Sequence, residues 1–140
     1  MKIIICLDDN NGMLFNGRRQ SMDRKLRERI CQISRGNTLW MNAFTAQQFD
    51  MLEDHVVVNE KFLELAQEND FCFIENLDIS SCVARINTLI IYRWNRIYPN
   101  DVSFPVALFA HWKKVEASEF AGSSHDCITE EVYFCENEKS

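Results

Sequence analysis

The chain has 140 residues, 46% of them hydrophobic and 26% charged, with a formal net charge of −6. That size fits one domain over residues 1–140, able to bury about two-thirds of its unfolded surface without staples, and four glycines with two prolines leave no linker. Six cysteines without a CxxC pair, three scattered histidines, no leader-like start and no membrane-length apolar run argue against a metal centre, a disulfide framework and a bilayer span, and for a cytoplasmic protein with reduced thiols.

Ile3-Ile4-Ile5-Cys6-Leu7 is a continuous apolar run rich in β-branched residues. It predicts a strand buried on both faces, the first central strand of an α/β sheet. Asp8 to Gly12 ends it with turn chemistry, and Asn16-Gly17 is a second turn signal. Ser21 reads as a helix cap, with Asp23 in the first turn facing the helix dipole. Met22, Leu26, Ile30 and Ile33 then recur at helical spacing, and Gly36 closes the helix. Thr38–Met41 reads as a short strand and Thr45–Leu52 as a helix with Phe49 and Leu52 inward. His55–Val58 is the third strand, followed by a helix whose Phe62, Leu63, Leu65 and Ala66 pack into the core. Phe71–Ile74 is the fourth strand, Ile79–Ala84 a short helix, and Thr88–Tyr92 the fifth strand. This alternation predicts a central, mainly parallel sheet with helices on both faces. After Pro99 the pattern changes. Ser103–Phe109, Trp112–Phe120 and Thr129–Cys135 read as antiparallel C-terminal strands that make the sheet mixed. Glu136–Ser140 reads as a frayed tail.

The charge is unevenly spread. Arg18, Arg19, Arg24, Lys25, Arg27, Arg29 and Arg35 stand against only Asp23 and Glu28, so residues 18–35 carry +5 and the remainder −11. A basic island on an acidic body suits a small anionic ligand, whereas long nucleic acid would be repelled by the acidic surround. Arg18, Arg19 and Ser21 are candidate substrate-binding residues. Guanidinium forks bind a carboxylate or phosphate, and a helix N-terminus adds amide donors. Asp23 is the candidate catalytic residue, accepting a ring N–H or acting as a general acid or base. The other reading of the same segment has Ser21 capping, Asp23 offsetting the dipole and the arginines solvated. Asp8 and Asp9 close the first strand, where open α/β sheets bind ligands. Adjacent residues point to opposite faces, so at most one of them, taken as Asp9, reaches a pocket. Arg93 and Trp94 end the fifth strand. Either Trp94 stacks a flat ring while Arg93 holds an anion, or Trp94 fills core space and Arg93 snorkels.

The order of elements resembles dihydrofolate reductase. Asp8-Asp9-Asn10-Asn11-Gly12 with Asn16-Gly17 is similar to that family's opening strand and mobile loop. Gly36 to Met41, Ile97 to Asp101, Trp112 to Glu119 and Tyr133-Phe134 resemble further family segments in the same order. The resemblance implies that fold, and it places Asp23 at or near the family's pterin-binding acid. Two departures concern the cofactor. Where the family carries Gly-Arg after the second strand, this chain has Asn42-Ala43. Where it carries a glycine pair after the fifth strand, this chain has Arg93-Trp94. A phosphate cradle needs close backbone approach and a cation. Losing both ends of the site speaks against ordinary NADPH binding, and no cofactor is expected. The leading expectation is a fold of this kind that has left hydride transfer behind and binds a small anionic or heterocyclic ligand. The rivals are a divergent NADPH-dependent reductase of a pterin-like substrate, a homodimeric interaction protein pairing through apolar edge strands, and a nucleotide or RNA hydrolase.

Overall fold

The computed structural model describes residues 1–135, so the tail expected at 136–140 lies outside the described residues. The chain runs through β1 (Lys2–Leu7), β2 (Gly12–Phe15), β3 (Arg18–Arg19), α1 (Arg24–Ser34), β4 (Leu39–Met41), α2 (Ala43–Ala46), β5 (Val56–Val58), α3 (Phe62–Leu65) and β6 (Phe71–Phe73). A 3₁₀ turn (Ser80–Arg85), β7 (Thr88–Arg93), β8 (Val102–Ser103), a second 3₁₀ turn (Val106–Phe109), β9 (Lys113–Phe120) and β10 (Ile128–Phe134) follow.

Seven strands form one sheet in the order β5-β4-β6-β1-β7-β10-β9. The pairs among β5, β4, β6, β1 and β7 are parallel, while β10 runs antiparallel to both β7 and β9. Along β1 the side chains alternate between two cores. Ile3, Ile5 and Leu7 join Phe62, Ile79, Phe104 and Phe109 on one face, and Ile4 joins Leu26, Ile30, Tyr92 and Trp94 on the other. That two-sided burial is why β1 reads as an uninterrupted apolar run. It makes the domain a mixed α/β sheet with helices on both faces. Among the described residues no helix is long and apolar enough to cross a membrane.

Several local expectations need correction. The cap of α1 is Asp23, not Ser21: Asp23 has extended backbone and its carboxylate accepts from the Leu26 amide at 3.1 Å. Met22 therefore precedes the helix and is exposed, while Leu26 and Ile30 carry the buried stripe. The helix expected over Thr45–Leu52 is the single turn α2, and Leu52 is exposed, as is Leu65 at the end of α3. The strand expected over Ser103–Phe109 is only β8, because Pro105 lacks an amide proton and the chain turns 3₁₀ after it. β8 also joins a separate small sheet, β3-β2-β8, whose first two strands the turn signals concealed. Edge strand β9 is exposed and carries Lys113, Lys114, Glu116 and Glu119, so this long edge is charged rather than apolar.

Candidate functional site

Three loops converge on one edge of the large sheet. β1 ends at Leu7 beside Arg93 at the end of β7, and Arg93 pairs with Thr129 at the start of β10. Because β10 is antiparallel, the β9–β10 connection over residues 121–127 lies above the same edge as the loops that follow β1 and β7.

Asp8 ties the first two loops together. It is fully buried. Its Oδ1 accepts from the amides of Asn10 and Gly12, and its Oδ2 accepts from the Tyr98 amide and the Gln20 side chain. Burial alone would raise its pKa, but these donors hold the carboxyl below the usual range. Gly12 belongs to this packing, since a Cβ there would lie 2.6 Å from Gln20 Nε2 and 2.7 Å from Asn100 Cβ.

Asp23 ties the third loop to α1. It accepts from the amides of Leu26, Ser123 and Ser124, and from Nδ1 of His125 at 3.0 Å. Burial opposes ionisation, but His125 and these amides hold the carboxyl well below its ordinary range. Gly122 is required by this approach, because a side chain there would run into the Asp23 carboxylate.

His125 is buried and fixed on three sides. Its ring stacks on Trp94 with centroids 4.5 Å apart and planes 26° from parallel. Nδ1 faces the Asp23 carboxylate, an arrangement that in the neutral ring favours the tautomer with its proton on Nδ1 and leaves Nε2 as the acceptor. Two hydroxyls reach Nε2, Ser21 at 2.9 Å and Tyr98 at 3.2 Å. Ser21 is half-buried and lines an open cleft of about 460 Å³ with Arg18, Arg19, Met22, Phe44 and Gln47.

The cleft wall is partly cationic. Arg19 points its Nε at Glu75 at 3.1 Å, donates from Nη2 to the Phe44 carbonyl at 2.6 Å, and lays its guanidinium 4.5 Å from the Phe44 ring centroid. Arg18 is exposed and makes no ion pair among the described residues. Elsewhere in the basic island Arg24 pairs with Glu28, Arg29 with Glu130 and Arg35 with Glu53, while Lys25 and Arg27 make no ion pair among the described residues. Two of the amides expected to serve a ligand at the helix start are spent too, since the Arg24 N–H donates to Ser123 Oγ and the Leu26 N–H to Asp23.

The chain matches a solved dihydrofolate reductase from Enterococcus faecalis, complexed with NADP(H) and RAB-propyl, over 97% of its own length and 96% of that chain, with a TM-score of 0.69. The fold is that of dihydrofolate reductase. Identity is 14%, so fold is what the likeness shows. No family model matches the chain, and no curated protein matches it.

Within this dihydrofolate reductase fold the expected residues separate. Arg18, Arg19 and Ser21 meet in the cleft. Asp23 stands behind Ser21, reaching it only through His125. Trp94 is 3% exposed and lies beneath His125 instead of lining the cleft. Arg93 turns toward Glu131, the Asp8 carbonyl and Asn11. Asp9 is exposed and donates its amide to the Arg96 carbonyl. Reading the sequence missed His125, Glu75, Phe44 and Tyr98. One signal for His125 was present: Gly122-Ser123-Ser124-His125-Asp126 is turn chemistry between the last two strands, and a hairpin there must return to the ligand-binding edge.

Proposed function

We propose that the chain binds a small anionic or heterocyclic ligand in the cleft bounded by Arg18, Arg19, Ser21 and Phe44, and does not carry out ordinary NADPH-dependent reduction. The observation that carries the reading is Arg18. Its guanidinium is exposed on the cleft wall with no carboxylate paired to it among the described residues, beside an aromatic ring and a second guanidinium. Arg24 and Arg35 are met by the chain's own carboxylates, and Lys25 and Arg27, which have no ion pair among the described residues, do not line this cleft. A ligand with a flat or apolar body and one negative group matches a cleft lined by Phe44 and Met22 together with Arg18.

The residues that stand where the resemblance puts a dinucleotide do not fit one. The Ala43 amide at the start of α2 donates to the Glu60 carboxylate at 2.8 Å, so a negative charge already holds that helix end. The Asn42 side chain is engaged with Asn76 and the Thr45 amide. Arg93 is committed to Glu131, Asp8 and Asn11, and the Trp94 indole is packed into the core. A phosphate arriving there meets a carboxylate instead of a free amide.

A thermal-shift screen of small carboxylates, phosphates and heterocycles tests the reading. Ligands that raise the wild-type Tm should lose that effect in Arg18→Ala, since a ligand at a hundred times its Kd stabilises by about 2.7 kcal/mol. If every stabilising compound acts equally on Arg18→Ala, the cleft is not the site. NADPH at millimolar concentration should show no saturable fluorescence change, and a saturable one overturns the second half of the reading.

A further inference from the structure

Ser21, His125 and Asp23 form a continuous hydrogen-bonded line. Ser21 Oγ is 2.9 Å from His125 Nε2, and His125 Nδ1 is 3.0 Å from Asp23 Oδ2. The exposures along the line run in the order that nucleophilic chemistry requires. Asp23 and His125 have side chains 0% and 3% exposed, whereas Ser21 is half-buried and opens on the cleft. The base is oriented from behind, since the carboxylate selects the tautomer and the Trp94 face sets the ring plane. Constellations of this kind are recognised by geometry and role, and not by position in the chain or by fold.

A purely structural reading leaves one feature idle. Asp23 already joins α1 to the 122–125 loop through the amides of Leu26, Ser123 and Ser124. Anchoring the loop does not require the far nitrogen of the imidazole to meet a hydroxyl on a cleft wall. The Tyr98 hydroxyl is 3.2 Å from the same nitrogen, the longer of the two contacts, and it holds the ring against the β7 side of the site.

We propose that Ser21 is a nucleophile, His125 its general base and Asp23 a positioning residue, and that together they hydrolyse a small ester bearing a negative group. In the first half-reaction Ser21 Oγ bonds to the ester carbonyl carbon as its proton passes to His125 Nε2. The bond from that carbon to the alcohol oxygen then breaks, and His125 returns the proton to the departing alkoxide. In the second half, water adds to the acyl carbon and gives a proton to His125. The acyl–Oγ bond breaks, and the proton returns to Ser21. The products are a carboxylic acid and an alcohol, with water the one co-reactant. The substrate class rests on the ligand reading above, since Arg18 is what selects the negative group.

The test uses the folded full chain and an uncharged fluorophosphonate probe, which needs Ser21 activated but does not need Arg18. We expect one adduct, mapped by mass spectrometry to Ser21 and absent in Ser21→Ala. The labelling rate should fall about 10²- to 10⁴-fold in His125→Gln. A folded wild type without a Ser21 adduct at millimolar probe overturns the proposal, and so does wild-type labelling by a folded His125→Gln. Should that variant not fold, Ser21→Cys decides the matter. Its alkylation by iodoacetamide should titrate well below the ordinary thiol value of about 8.5, because an imidazolium would face the thiolate. Titration at or above that value overturns the base. Adding Asp23→Asn should move the titration back toward the ordinary value, whereas a merely structural Asp23 would leave it in place. Comparing 4-nitrophenyl acetate with 4-nitrophenyl hydrogen succinate separates the two proposals. The succinate should be preferred about tenfold, with the preference lost in Arg18→Ala. Equal turnover of the two esters with Ser21 still labelled removes the anionic substrate and keeps the nucleophile.

Discussion

Asp23 and Glu130 are both buried carboxylates tied to α1, one at its cap and one through Arg29 in its second turn. Glu130 accepts two bonds from Arg29, each 2.9 Å, and one from the Tyr92 hydroxyl at 2.6 Å. Neither partner has a proton to trade near neutrality. A guanidinium stays charged, and burial followed by the Glu130 charge drives the Tyr92 phenol far above its ordinary range. Asp23 has an imidazole in the same position, and the second nitrogen of that ring meets an accessible hydroxyl. An acid buried against a permanent cation makes a clamp. An acid buried against an imidazole with a second contact can direct a proton.

The largest expected effect falls on the directing acid. Asp23→Ala removes a helix cap and leaves the Ser123 and Ser124 amides and the His125 ring without their acceptor. It should cost about 4 kcal/mol in urea denaturation, from a cap worth about 1 and orphaned donors worth about 1–3 each. A loss below about 1 kcal/mol would mean the 122–125 loop does not hold this contact. Next comes the clamp. Arg29→Met leaves Glu130 buried without its cation and should cost about 3 kcal/mol, the low end for a broken buried pair because the guanidinium is 39% exposed. Adding Glu130→Gln should recover part of that loss, which a double-mutant cycle measures.

Smaller effects come from pH, and the two networks separate by sign. The folded carboxyls of Asp8, Asp23 and Glu130 are all depressed. Their stabilisation is complete above the unfolded values of about 4 and is lost as pH falls through the folded ones. Asp23→Asn should flatten that acid limb. The Tyr92 phenol is raised, so stability from the clamp should fall as pH climbs above about 10, where the unfolded phenol ionises and the folded one does not. An unchanged acid limb in Asp23→Asn would deny that the carboxylate is depressed. Smallest of all is Arg24→Ala. Its i,i+4 pair with Glu28 is exposed on both sides, and the change should lie within about 0.5 kcal/mol by thermal melting.

Much of the fold was legible before any coordinates. The apolar run of β1, the stripe of Leu26 and Ile30, and the β-rich end of the chain are local patterns that survive into the folded state. Shorter elements were less legible. β2, β3 and β8 contain four residues or fewer; β2 and β3 form a short hairpin about Asn16-Gly17, but β2 meets β8 across about ninety residues of chain, a pairing that nothing local announces. The site divided the same way. Arg18, Arg19 and Ser21, named as candidates for their contiguous charge and turn chemistry, line one cleft in the structure. Asp23 was named as a candidate with Ser21 assigned as the cap, since either residue type can cap a helix and only the backbone decides which does. The basic island read as wholly unpaired because the acids that meet Arg19, Arg29 and Arg35, namely Glu75, Glu130 and Glu53, lie outside that segment.

The chain's own order of residues determined the alternation of strands and helices, the two-sided burial of β1 and the cluster of cations at the start of α1, because each depends on neighbours a few positions apart. Tertiary structure alone decided which unpaired arginine stands on the cleft wall and that His125 stands between Ser21 and Asp23. Those residues lie 104 and 102 positions from His125. They meet only because β10 runs against the parallel strands and carries its preceding turn back over the open edge of the sheet.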